Sequence, residues 1–138
     1  MSNVSQPVLI FGADNYAKKG IRKGFRLTVN FKNGNAYISI ELKNKLFGES
    51  AIEGCVLLVC SPIENNWYIT KSNEPGNGYE CKLNDPNVQT SMRVNGMLRT
   101  VEKMAKSVNL DIKESKYTFE VSDTPIEYNG MQLYKIIL

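Results

Sequence analysis

The stretch "FRLTVNFKNGNAYISIEL" (residues 25–42) alternates apolar and polar side chains on both sides of an Asn-Gly pair. In an extended chain Phe25, Leu27, Val29 and Phe31 fall on one face, and Arg26, Thr28, Asn30 and Lys32 on the other. That period of two is the mark of a half-buried strand. Asn33-Gly34 tolerates the positive φ of a type I′ turn, so the pattern predicts a hairpin returning through "NAYISIEL". Folding about the turn pairs Phe31 with Ala36, Asn30 with Tyr37, Val29 with Ile38, Thr28 with Ser39, Leu27 with Ile40 and Arg26 with Glu41. Polarity agrees across these pairs apart from the amphipathic Tyr37, and a one-residue slip would destroy the agreement.

Beyond the hairpin, "LKNKLFGESAIEGCVLLVC" predicts a short helical piece around Leu42 to Phe47 and then an apolar strand from Cys55 to Cys60. A strand apolar on both faces is expected to be central and covered on both sides. "NNWYITK" should pair with it after a turn at Pro62, and "GYECKL" should add another strand. From Ser91 the period changes: Val94, Met97, Leu98, Val101, Met104, Ala105 and Val108 recur at helical spacing. The expectation is one amphipathic helix near 91–108, N-capped by Thr90 or Ser91, with Gly96 inside it and Asn109 near its end. A strand, a Pro125 loop, a second Asn-Gly turn at Asn129-Gly130 and a closing strand complete the chain.

The predicted fold is α+β: a β-rich single domain of about seven mostly antiparallel strands, forming a sheet or partial barrel against one main helix. Its parts are an N-terminal segment with a basic loop (1–24), a β-rich meander (25–83), the helix (91–108) and C-terminal strands (117–138). A chain of 138 residues suits one core.

Composition excludes several function classes. Hydrophobic residues make up 42% and charged residues 22%, ordinary globular values. No run approaches the roughly 20 apolar residues of a membrane span. "VLIF" near the N-terminus is too short, and has no basic residue ahead of it, to read as a signal peptide. A cytoplasmic protein with no membrane association is expected. The three cysteines, Cys55, Cys60 and Cys81, are an odd number, and the first two should point to opposite faces of one strand as free thiols. Histidine is absent, which removes Ser-His-Asp and Cys-His arrangements, His-ligated metals and the commonest general acid/base. There is no Cys-x-x-Cys pair, no phosphate-binding G-x-x-x-x-G-K-[ST] and no G-x-G-x-x-G. Acidic residues such as Asp14, Glu41, Glu53, Glu80 and Asp111 are scattered singly. The expectation is a protein that is not an enzyme and that carries no metal and no cofactor.

The segment "AYISIELKNKLFGESAIEGCVLLVC" (36–60) resembles the swapped-hairpin DNA-binding module of AbrB-type transition-state regulators. Ile38 and Ile40 match that module's strand apolars, Leu42 to Leu46 its short helix, and Glu53-Gly54 the turn before its second strand. Glu41 stands near the usual proline, Cys55 replaces the aspartate, and the turn is longer. The resemblance implies DNA binding; a homodimer is expected on separate grounds, because a single helix leaves strand edges or an apolar face uncovered.

Charge asymmetry points the same way. The formal net charge is only +3, but Lys18, Lys19, Arg22, Lys23, Arg26 and Lys32 are opposed in the first 32 residues by Asp14 alone. Cations concentrated on one segment are the footprint of phosphate contacts, and Gly20 and Gly24 would let backbone amides approach. Tyr37, on the polar face of the hairpin beside Asn30, suits base stacking, and Tyr16 could join it. The expected nucleic-acid-binding residues are therefore Lys18, Lys19, Arg22, Lys23, Arg26, Lys32 and Tyr37, the partner DNA more than RNA, and the assembly a homodimer. Three alternatives stand beside this: basic residues guarding a sheet edge against aggregation, a structural or assembly protein of the viral or phage kind, and a binder of a small anionic ligand such as a nucleotide.

Overall fold

The computed structural model describes residues 24–74 and 76–138. In chain order their elements are β1 (Phe25–Asn30), β2 (Ala36–Ile38), α1 (Ile40–Phe47), β3 (Glu53–Ser61), β4 (Asn66–Lys71), β5 (Tyr79–Leu83), β6 (Met92–Val94), α2 (Leu98–Ser107), β7 (Lys116–Val121), β8 (Ile126–Tyr128) and β9 (Met131–Ile137). Strands β4-β3-β5-β6-β2-β1-β7-β9 are neighbours in that order, and β9 pairs back to β4. The result is a closed barrel of eight antiparallel strands, with β8 added to β9 as an extra strand. The expected sheet or partial barrel is a closed barrel, with more strands than the sequence pattern indicated.

Alternation fills the barrel. Leu27 and Val29, Ala36 and Ile38, Trp67 and Ile69, Cys81 and Leu83, Met92 and Val94, Phe119 and Val121, and Tyr134 and Ile136 join Val56 in one buried cluster. Burying each large aliphatic side chain contributes about 1.5–3 kcal/mol, so this cluster is the main source of stability. The helices close opposite ends. Leu42 and Leu46 of α1 enter the core beside the Thr70–Lys71 end of β4, whereas Val101 and Met104 of α2 enter at the other end. There the Trp67 indole N–H donates to Ser107 Oγ at 3.1 Å and the Asn65 amide to the Ser107 carbonyl at 2.6 Å.

The first hairpin forms with a different register. Its pairs are Leu27 with Ile38, Thr28 with Tyr37 and Val29 with Ala36, shifted by two residues from the expected ones. A two-residue shift leaves every side chain on its original face, so polarity alone could not distinguish the two registers. The turn chemistry decides. Asn30 Oδ1 accepts from the backbone N–H groups of Lys32 at 2.9 Å and Asn33 at 3.2 Å, and the Gly34 N–H reaches the Asn30 carbonyl at 2.8 Å. This Asn-nucleated loop spans Phe31 to Gly34 and needs positive φ at Gly34 (81°) but not at Asn33. The two-residue Asn-Gly turn does occur at Asn129-Gly130, with φ of 50° and 80°.

Ser39 stops the return strand. Its Oγ accepts from the Arg26 N–H at 3.0 Å and the Leu42 N–H at 3.5 Å, and donates to the Gly24 carbonyl at 2.8 Å. It is therefore the N-cap of α1, and Ile40 and Glu41 belong to the helix rather than to the hairpin.

Two further expectations are corrected. The Cys55–Cys60 run is not covered on both faces: Val56 is fully buried and Leu58 and Cys60 pack on the core, while Cys55, Leu57 and Val59 are partly exposed on the outer wall. All three cysteines are free. The helix near 91–108 starts later, because Met92 and Val94 form strand β6 with Arg93 between them, and Gly96 adopts a φ of 78°. Apolar residues at positions 92 and 94 fit a strand's period, and a left-handed glycine cannot continue into a helix from there. The helix end is as expected: Asn109 has φ 56°, its N–H bonds the Lys106 carbonyl and the Leu110 N–H bonds the Ala105 carbonyl, a Schellman motif. No helix among the described residues is long and apolar enough to cross a membrane.

Candidate nucleic-acid interface

Residues that alternate with the core positions face outward, and the ladder places them in lines across the wall. Thr118, Thr28, Tyr37, Arg93 and Lys82 are successive register partners across β7, β1, β2, β6 and β5. The threonine hydroxyls meet at 3.1 Å and lock β1 to β7 beside the tyrosine. Arg93 donates from Nη2 to Asn35 Oδ1 at 3.0 Å, which fixes its guanidinium next to β2. Around Tyr37 lies a shallow pocket of about 350 Å³ lined by Arg26, Thr28, Tyr37, Ile38, Ser39, Asn84, Ser91 and Lys116. It combines an aromatic ring, two cations, hydroxyls and an amide.

The electrostatics are mixed by position. Glu120 is the register partner of Arg26, and Glu53 that of Lys82. Lys82 and Arg93, however, stand directly opposite each other with both side chains exposed. Like charges in that arrangement destabilise a sheet by roughly 0.2–1 kcal/mol relative to a neutral pair. An anion lying over the wall would relieve the repulsion.

One wall of the pocket is held from inside. Lys43 of α1 is buried, and its Nζ donates to the Glu49 carbonyl at 2.7 Å, to Asn44 Oδ1 at 3.2 Å and to Gln89 Oε1. The last bond ties α1 to the β5–β6 connection, the segment that supplies Asn84 and Ser91. Burial lowers the Lys43 pKa, and the neighbouring Glu49 carboxylate opposes that shift. Cys81, in the core behind Lys82, donates weakly to the Tyr79 carbonyl at 3.4 Å. Burial first, then the neighbouring Cys55 thiol, push its pKa up to about 12.

Of the residues singled out from sequence, Arg26 and Tyr37 come together in the pocket. Lys32 sits instead on the loop at the end of the β1–β2 ladder, exposed and away from Tyr37. Lys18, Lys19, Arg22 and Lys23, with Tyr16, lie outside the described residues. Arg26 does not guard an edge, since β1 is paired on both sides by β2 and β7. The sequence reading missed Lys82, Arg93 and Lys116, which belong to strands distant in the chain. Each is a polar position beside buried ones, as in "MRV" and "CKL", but only the barrel's strand order brings them onto the same wall as Tyr37. No protein-family model, curated protein or solved structure matches the chain.

Proposed function

We propose that the protein is a small non-enzymatic nucleic-acid-binding protein that contacts its ligand with the outer wall of β7-β1-β2-β6-β5 and with the basic stretch before Phe25. DNA is favoured over RNA by the resemblance of residues 36–60 to a DNA-binding module. The observation that carries the reading is the exposed Lys82–Arg93 like-charge pair in line with Tyr37. Cations held against one another beside an aromatic ring suit a phosphate chain with bases stacking alongside. The test is retention of oligonucleotides by the parent and by two charge reversals, Arg93→Glu and the double change Lys19→Glu with Arg22→Glu. Weaker and less salt-sensitive binding in both variants, with no fall in melting temperature, supports the reading. Equal binding by parent and variants contradicts it.

A structural or assembly role is the second reading, and β8 favours it. Among the described residues β8 pairs with β9 alone, and Ile126 and Tyr128 are 50% and 56% exposed. They border a groove of about 380 Å³ with Val59, Tyr68 and Leu133. An exposed strand with apolar side chains suits a protein contact, and a homodimer through this edge is compatible with nucleic-acid binding on the other wall.

A further inference from the structure

Resting on the nucleic-acid reading, we infer that the Tyr37 pocket receives one unpaired base, so that the ligand is single-stranded nucleic acid rather than duplex. The shallow pocket, about 350 Å³, is of a size to receive a single nucleobase. Tyr37 lines it, half-buried, at a register position between Thr28 and Arg93. Stacking on this ring requires a base whose own face is free. Duplex DNA offers such faces only at its ends.

The rim supplies the other two elements of recognition. Lys116 is exposed on β7 and Arg93 on β6, on either side of the ring, so that a strand crossing β7, β1, β2 and β6 meets a cation before and after the stacked base. Four strand spacings separate Thr118 from Lys82, about 19 Å at ~4.8 Å each. That length matches a site of roughly four nucleotides, the lower end for a single barrel. Asn84 and Ser91, from the two ends of the β5–β6 connection, face the same pocket. An amide presents a donor and an acceptor together, as the edge of a base does, so Asn84 is positioned to distinguish bases.

The experiment is fluorescence anisotropy with labelled 12-mer homopolymers of deoxythymidine, deoxyadenosine and deoxycytidine and with a 12-base-pair duplex, in about 50 mM salt, where phosphate contacts are strongest. The expected result is at least tenfold tighter binding to one or more of the single strands than to the duplex. Tyr37→Ala should weaken single-strand binding by about 5- to 150-fold, the loss expected for one stacked base, without changing the salt slope, because no charge is removed. Tyr37→Phe should stay within about twofold of the parent, since the stacking face is kept. Asn84→Ala should reduce the differences among the homopolymers. Salt-dependent binding that is equal for duplex and single strands, with Tyr37→Ala binding like the parent, overturns the single-base inference and leaves the nucleic-acid reading standing. Absence of salt-dependent binding to every probe overturns both.

Discussion

Lys82 and Arg93 face each other across the β5–β6 ladder, two exposed cations at one register position. Glu53 stands opposite Lys82 on its other side, whereas Arg93 has only the uncharged Tyr37 beyond it, so the like-charge contact is uncompensated at Arg93 within the ladder. Arg93→Glu converts the repulsive pair into an attractive one, and its other register partner, Tyr37, is uncharged. The expected outcome is a gain of about 0.2–1 kcal/mol in stability together with weaker oligonucleotide binding, a trade of function for stability. Urea unfolding and anisotropy on the same variant check both halves, and a variant that binds as tightly as the parent separates the pair from the ligand.

Gly34 tests the first turn. At φ 81° a β-branched residue is strained, so Gly34→Val should cost more than about 1 kcal/mol. In a chain of this size that lowers the melting temperature by about 3 °C or more. Since Tyr37 follows the turn closely, binding should weaken as well. An unchanged melting temperature would show that the loop relaxes without cost.

Lys43 links the core to the site. Lys43→Ala removes the donor to the Glu49 carbonyl and to Gln89 Oε1, both on exposed residues that water can reach, so each lost bond costs about 0.5–1.5 kcal/mol. The β5–β6 connection should loosen, seen as faster amide exchange over residues 84–91. Loss of homopolymer discrimination should accompany it, because Asn84 is carried on that segment. Exchange unchanged over those residues would contradict a positioning role for Lys43.

Cys81 gives the protein an alkaline limit. Its ordinary pKa of 9.0 applies in the unfolded chain, whereas burial raises the folded value to about 12. Between these values the unfolded chain has lost the proton that the folded protein keeps, so the contribution to stability is complete below pH 9 and is lost as pH rises toward 12. The loss amounts to about 1.4 kcal/mol per pH unit at most. Cys81→Ala should fall less in stability between pH 8 and pH 10 than the parent. An equal fall in the two proteins would assign the alkaline loss to other groups.

Much of the strand pattern was legible because period two is a local property. "FRLTVN", "NWYITK" and "KYTFEV" each become a strand, and Asn129-Gly130 becomes the turn its residues favour. The first hairpin's register was not legible, since shifts by two residues are equivalent in polarity and only Asn30's side-chain bonds select one. Closure was not legible either, because the β9–β4 pairing joins residues 134–136 to 67–69 and no local pattern announces so distant a contact. The site shares that limit. Arg26 and Tyr37 lie in one hairpin and could be read together, but Arg93, Lys82 and Lys116 reach them only through the strand order.

The outer wall as a phosphate-binding surface is tested most directly by the salt dependence of affinity for a single-stranded oligodeoxynucleotide between about 50 and 200 mM salt. Each phosphate neutralised should contribute about −0.7 to the slope of log affinity against log salt, so four contacts give a slope near −2.8. The parent should show a slope of about that size, and Arg93→Glu a slope shallower by roughly 0.7 or more with its melting temperature not lowered. A flat salt dependence in the parent, or identical slopes in parent and variant, would contradict the assignment of this wall to nucleic acid.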